Sequence, residues 1–272
     1  MRRSVGRSRI LVVNDGKTAE RVDRLAGEEP MEIRAGGPGQ DPAAVAVTMR
    51  TPGHDFELAA GFLFTEGLVS AEDVAHVSYC DAPDVDQEYN VVTVRTAGFF
   101  DASSIQRNFY ATSSCGVCGK ASLEQVEVRC APVPDGPTLS AGVIRSLPDA
   151  LREAQKIFES TGGLHAAGLF DRDGTPTIVR EDVGRHNALD KLVGRALLSG
   201  ALPLHPGIVM VSGRVGFEIV QKAAVAGAPI VCAVSAPSNL AVAAAERLGI
   251  TIVGFLRGER FNVYSHPARI AV

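Results

Sequence analysis

From Ile208 onward the chain alternates short, unbroken apolar runs with stretches of helical period, and this rhythm limits the fold more than any other feature. Ile208-Val209-Met210-Val211 precedes a helical stretch from Phe217 to Ala226. Ile230 to Val234 precedes another from Asn239 to Leu248, and Ile250 to Phe255 leads to a last strand from Phe261 to Tyr264. A strand that is apolar at every position has no face to offer to water, so it must be covered on both sides. Helices placed between such strands provide the cover, and the expected result is an α/β fold with parallel strands. Just upstream, Leu147 to Ser160 reads as an amphipathic helix. Leu164 to Phe170 and Thr177 to Arg180 read as strands joined by the Asp171-Arg172-Asp173-Gly174 turn, and Asn187 to Leu198 as a helix.

The first half has a different texture. Pro30 to Arg34, Val45 to Met49 and Val91 to Val94 read as short strands, and Phe56 to Phe64 as a helix ending at Gly67. Residues 1–27 are basic and lack clear periodicity, which suggests a flexible tail. Pro132-Val133-Pro134-Asp135-Gly136-Pro137 resists both helix and sheet and is the best linker candidate. The expected organisation is a tail (1–27), a smaller α+β lobe (28–134) and an α/β lobe (135–272).

A net charge of −4 gives no general electrostatic reason to bind nucleic acid. No segment approaches the ~18 apolar residues of a membrane span. The N-terminal arginines are followed only by the apolar run Ile10 to Val13, short of the ~7–15 residues that an export signal needs. A cytoplasmic location is expected, where thiols stay reduced. The five cysteines are too few and too scattered for a disulfide scaffold, and their odd number leaves one unpaired within the chain.

Two of them carry the sharpest chemical signal. Cys115 and Cys118 lie in Thr112-Ser113-Ser114-Cys115-Gly116-Val117-Cys118-Gly119-Lys120, a glycine-bearing stretch that reads as a mobile, exposed loop. Paired thiols of this kind can be attacked, loaded with sulfur, closed to a disulfide or used to bind a metal. Zinc would need further ligands. Cys130, His165 and His186 are candidates, but none stands in a second C-x-x-C or an H-x₃-H spacing. A zinc deaminase would need H-x-E and a proline before the first cysteine, whereas no histidine here has that partner and Ser114 occupies the proline's place. A thioredoxin-type pair should open a helix after the first strand of a βαβ unit, and this one does not.

A second constellation sits where the predicted parallel strands end, the usual ligand edge of such sheets. It comprises Ser212-Gly213-Arg214, then Ser235-Ala236-Pro237-Ser238-Asn239, then Arg257-Gly258-Glu259-Arg260. Hydroxyls, glycine and arginine at helix starts suit anions, and a phosphorylated ligand is indicated. The plainer alternative is that Ser238 and Asn239 only cap a helix. Neither a G-x-x-x-x-G-K-[ST] nor a G-x-G-x-x-G motif is present. The polar run Glu181 to Lys191 makes Arg185 and His186 candidate ligand or acid–base groups, with Asp182 or Asn187 available as a helix cap. His165, in an apolar strand with small neighbours, is either a core histidine or a ligand-facing one.

Taken in order, the runs Thr51 to Asp55, Ser114 to Lys120, Thr161 to His165, Glu181 to Lys191, Ser212 to Arg214 and Phe261 to Tyr264 resemble the formate dehydrogenase accessory sulfurtransferase family (FdhD). The resemblance extends from about Pro30 to Ile270 and leaves out the basic N-terminus. It implies a cytidine-deaminase-like mixed sheet covered by helices, without deaminase zinc chemistry. It implies a sulfur carrier that takes a persulfide from a cysteine desulfurase. The sulfur would pass to the molybdenum of bis-molybdopterin guanine dinucleotide before that cofactor enters formate dehydrogenase. Cys115 matches the persulfide position, with Cys118 also involved. Phe255, Leu256, Arg257, Gly258, Glu259 and Arg260 match the cofactor-contacting segment. GDP is the expected surrogate ligand, and a homodimer the expected assembly. The alternatives are a cofactor-binding chaperone without catalysis and a zinc-binding protein using Cys115 and Cys118.

Overall fold

The computed structural model describes residues 3–80, 88–103 and 130–271. The chain opens with a hairpin where a structureless tail was expected: β1 (Val5–Asn14) and β2 (Lys17–Ala26) pair antiparallel along their whole length. The turn explains it. Asp15 (φ 49°) and Gly16 (φ 75°) both take left-handed backbone angles, the two-residue connection that Asp-Gly favours. The apolar pattern is faint in the sequence because Leu11, Val13 and Val22 remain exposed on the ribbon.

The first lobe contains β3 (Glu29–Gly36), β4 (Ala43–Arg50), α1 (Asp55–Thr65), β5 (Val74–Tyr79) and β6 (Val91–Thr96). Its strands lie in the order β4-β3-β6-β5, with β3 and β6 parallel and the other pairs antiparallel. Leu58, Ala59 and Leu63 of α1 pack on Met31, Ile33, Val92 and Val94 of the sheet. β5 escapes the sequence reading because its Val74-Ala75-His76-Val77-Ser78-Tyr79 run is only half-buried and carries polar residues.

The second lobe contains β7 (Leu139–Ser140), α2 (Ala141–Ala154), α3 (Lys156–Thr161), β8 (His165–Phe170), β9 (Pro176–Asp182), α4 (Arg185–Leu198), β10 (Ile208–Val211), α5 (Phe217–Val225), β11 (Ile230–Ala233), α6 (Asn239–Leu248), β12 (Thr251–Arg257), β13 (Arg260–Val263) and β14 (Ile270–Ala271). Six of these strands form one mixed sheet in the order β13-β12-β11-β10-β8-β9. β10, β11 and β12 are parallel, while β8, β9 and β13 join antiparallel. Along β10 the side chains alternate between two buried faces, which is why the strand is apolar throughout. Val209 and Val211 join Leu192, Ile219, Val220 and Ala245 of the covering helices. Ile208 and Met210 join Leu147 and Leu151 of α2 on the other side.

Two expectations need correction here. The single helix from Leu147 to Ser160 is two helices: the Ser140 hydroxyl accepts from Val143 N and starts α2 six positions before Leu147, and the chain breaks at Gln155. The Pro132 to Pro137 stretch is not a loose linker, because Val133 is buried in the second lobe's core and its N–H donates to Leu248 O at 2.9 Å.

The two lobes meet where α1 crosses α4, with backbone against backbone. A Cβ on Gly61 would lie 1.9 Å from Asp190 O, and one on Gly194 1.8 Å from Glu57 O. Around the crossing, the Thr65 hydroxyl donates to Asp190 at 2.7 Å, and Lys222 of α5 reaches Glu66 at 2.7 Å and Asp190 at 2.9 Å. Burial works against the charge on Lys222, but these two carboxylates outweigh it and raise the ammonium's pKa. Arg180 of β9 pairs with Glu57 of α1. Burial pushes the Glu57 carboxyl up, yet the hydrogen bonds from Arg180 and His54 bring it down to about 2. Among the described residues, no helix is long and apolar enough to cross a membrane.

Candidate functional site

Because β10, β11 and β12 are parallel, their carboxyl ends share one edge, and the loops that follow are stitched together. Val215 N donates to Ala236 O at 3.2 Å, Ser238 N to Val215 O at 3.0 Å, and Phe255 N to Ser235 O at 3.1 Å. The three strand-end segments singled out in the sequence therefore form a row, but their side chains divide by task. The Ser212 hydroxyl accepts from Ala166 N at 2.8 Å and ties the loop to β8. Ser238 caps α6 through Ala241 N, and the Asn239 side chain accepts from Leu240 N. Leu256 is wholly buried and packs in the core. Arg257 donates to Val234 O at 3.2 Å, and Glu259 pairs with Arg145. Phe255, Arg257, Gly258, Glu259 and Arg260 are exposed along the edge.

Phe255 is strained. It has φ 51°, left-handed backbone that costs a bulky residue on the order of 1–3 kcal/mol. It sits in a bulge of β12 between Gly254 and Arg257, and the residue is 42% exposed. A side chain at Gly254 would meet Pro237 and Tyr264 at 3.0 Å, so the close approach of the β11 loop leaves little room for one. The bulge turns an aromatic face outward beside Arg257 and Arg260.

Next to this row lies a cationic cradle. His165 opens β8, which runs against β10, so its ring stands at the β10 end. A Cβ on Gly213 would be 3.4 Å from His165 Nδ1 and 3.7 Å from Arg185 Cδ, so both side chains flank the bare backbone at Gly213. Helices α4 and α5 both start here, on Gly184 and Gly216, and neither has a side-chain cap. Their first turns are bridged by His186 Nε2 and Glu218 Oε2 at 2.9 Å. Uncapped helix starts present unpaired N–H groups and the positive end of the helix dipole. Burial pushes the His165 imidazole below its usual range, and Arg185, His186 and Arg214 push the same way against a smaller opposing pull from Asp182. The hydrogen bond from His186 holds the Glu218 carboxyl below the usual carboxylate range, against burial. Arg185 Nε is buried and has no hydrogen-bond partner among the described residues. A buried guanidinium N–H without an acceptor calls for one, and an anionic ligand oxygen would satisfy it.

Neither Asp182 nor Asn187 caps α4. Asp182 instead forms a buried hub that the sequence reading did not identify. Its Oδ1 accepts from Gly184 N at 2.8 Å and Asn187 Nδ2 at 3.2 Å, and its Oδ2 accepts from Thr51 N at 3.1 Å and Lys191 Nζ at 2.7 Å. The signal was split between the Thr51 to Asp55 and Glu181 to Lys191 runs, and nothing in one sequence pairs them.

Cys115 and Cys118 lie outside the described residues. Of the other cysteines, Cys232 is fully buried with its thiol pKa pushed far up by burial, while Cys80 and Cys130 are half-buried. Among the described residues, no group of three or more His, Cys, Asp or Glu side chains is placed to hold a metal ion.

Fold and site together define a mixed α/β protein whose parallel strands end at one edge, beside two helix starts without side-chain caps. The FdhD/NarQ family model matches residues 26–271, and the chain belongs to that family. It is 51% identical over 271 residues to the sulfur carrier protein FdhD of Mycolicibacterium paratuberculosis, covering 97% of this chain and 98% of that one. It is 50% identical over 280 residues to the sulfur carrier protein FdhD of Streptomyces avermitilis, covering 100% and 98%. A crystal structure from Desulfotalea psychrophila, assigned provisionally as a formate dehydrogenase accessory protein, superposes with a TM-score of 0.74 at 26% identity, covering 98% of this chain and 99% of that one.

Proposed function

We propose that this protein is a sulfur carrier that serves formate dehydrogenase. In this reading the Cys115 thiolate attacks the terminal sulfur of a cysteine desulfurase persulfide, and the desulfurase cysteine leaves as thiolate. Cys115 then carries the persulfide. In delivery the terminal sulfur bonds to the molybdenum of bis-molybdopterin guanine dinucleotide, the substrate. Cys115 departs as thiolate, and the acceptor provides the electron pair for the new bond. Cys118 is close enough in sequence to act as a second acceptor or resolving thiol.

The observation that carries the reading is the convergence of His165, Arg185, His186 and Arg214 on two uncapped helix starts, beside the exposed Phe255 and Arg257 to Arg260 edge. Such an edge suits a ligand with diphosphates and flat guanines: N–H groups and arginines for the phosphates, an aromatic face for a base. The names of the relatives support the sulfur-carrier part.

The test is intact mass and peptide mapping after incubation with a cysteine desulfurase and cysteine. One added sulfur on Cys115, abolished in Cys115→Ala along with activation of formate dehydrogenase, is the expected result. Full activation by Cys115→Ala would leave only a cofactor-holding chaperone.

A further inference from the structure

The cradle depends on where Arg185 and His186 stand, and those two residues begin a helix whose start has no cap of its own. What fixes that start comes from outside the helix. Four donors converge on the Asp182 carboxylate, which is fully buried: two belong to the α4 start (Gly184 N and Asn187 Nδ2), one to the turn after β4 (Thr51 N), and one is Lys191 Nζ, one helical turn along the same face as Asn187. The bonds continue outward. Val183 N donates to Thr51 Oγ1 at 3.2 Å, Lys191 Nζ to Thr51 O at 2.8 Å, and Asn187 Nδ2 to Met49 O at 2.8 Å. The segment from Asp182 to Asn187 is thus tied at several points to the first lobe, and Arg185 lies in the middle of it.

Resting on the proposed ligand edge, we infer that Asp182 is a positioning residue: its carboxylate, balanced by Lys191, locks the Thr51 turn of the first lobe to the start of α4 and thereby aims Arg185 at the anion. Charge balance alone would need only Asp182 and Lys191. The other three bonds go to groups that define the path of the loop, and these are what a positioning role requires. Two elements far apart in sequence are fixed relative to each other, so the first lobe takes part in ligand binding without touching the ligand.

Asp182→Asn, Lys191→Met and the double variant separate these roles. An asparagine amide can accept from one pair of donors but presents its own N–H groups to the other, so the loop loses two of its ties. Each single variant should lose stability in urea unfolding, since each leaves a buried charge unbalanced. The double variant should recover most of that loss, because a buried ion pair removed as a unit costs little. Affinity for inorganic pyrophosphate, measured by calorimetry, should fall about tenfold in Asp182→Asn and stay low in the double variant, as for the loss of one charge-assisted bond. The Arg185 Nε–H resonance should shift or broaden in both, with no ligand present. Recovery of both wild-type affinity and the wild-type Arg185 resonance in the double variant would overturn the proposal and reduce Asp182 to a counter-charge. If the wild-type protein binds neither pyrophosphate nor GDP, the ligand edge itself is wrong, and the Arg185 resonance still decides the role of Asp182.

Discussion

Replacing Gly194 by alanine should unfold the protein more readily, although the same change in an unobstructed helix is stabilising. Glycine to alanine in a helix interior gains up to ~1 kcal/mol from propensity. Here the added methyl would sit 1.8 Å from the Glu57 carbonyl oxygen, where ordinary contact begins at 3.4 Å. Helices α1 and α4 would therefore have to separate by roughly 1.5 Å at their crossing, and overpacking of this kind costs about 1–3 kcal/mol or more. Separation also stretches the buried bonds from Thr65 and Lys222 to Asp190, and buried charges pulled from their partners are costly. The balance is a net loss of about 2 kcal/mol or more, large against the ~5–15 kcal/mol of a typical domain. Urea unfolding should show a lower midpoint for Gly194→Ala. Gly142→Ala is the control: it also lies in a helix, where the nearest obstruction to a Cβ is the Ser140 hydroxyl at 3.7 Å, and it should hold or gain stability. Because α4 begins with Arg185 and His186, GDP affinity should fall in Gly194→Ala as well. A midpoint at or above wild type with an unchanged slope would show that the helices can part freely and that the crossing does not lock the lobes.

Cys115→Ala should accept no sulfur, whereas Cys118→Ala should load Cys115 and deliver poorly, read by peptide mapping and by formate dehydrogenase activation. Arg214→Ala or Arg260→Ala should weaken GDP binding tenfold to a hundredfold, from the ~1.5–3 kcal/mol of a hydrogen bond to a charged group, while sulfur loading on Cys115 survives; unchanged affinity in both would move the ligand elsewhere. An anion bound against His165 should draw a proton onto its depressed imidazole, so pyrophosphate affinity should rise on acidification, and His165→Asn should flatten that profile. Without ligand the sign reverses: His165 and Glu218 both have lowered pKa values when folded, so the stability they contribute is present near neutral pH and is lost on acidification, visible as a falling melting temperature.

The sheet was legible in the sequence because each central strand is covered on both faces, so Ile208 to Val211 and Ile230 to Ala233 are continuous apolar runs. The hairpin, β5 and the short β7 and β14 pair were not legible for the opposite reason. Val74 to Tyr79 is half-buried, and β7 and β14 are two residues each, so no period develops. The hairpin did leave one local mark, Asp15-Gly16, which a turn-first reading of the N-terminus would have found. At the strand ends, position alone made Ser212 and Ser238 ligand candidates, with helix capping as the alternative for Ser238, and the family resemblance added Leu256. The structure gives them a sheet tie, a helix cap and a core place, because position along a strand end does not say which way a side chain turns.

The hub at Asp182 was illegible for a deeper reason. Thr51 and Asp182 are separated by 131 positions, and the carboxylate's meaning lies in donors that only folding brings to it. Read locally, Asp182 is a helix-capping aspartate, yet a cap at that point would have occupied the N–H groups at the start of α4. The fold instead leaves this helix start uncapped and holds it from the side through the Thr51 turn, Asn187 and Lys191. The same pattern recurs at α5, which starts on uncapped Gly216 and is held further along by Lys222 against Asp190 and Glu66. Two helices without side-chain caps of their own are thus anchored by buried charges further along. That division of labour fixes both helix starts from the side and leaves their first turns available to the anion proposed for this edge.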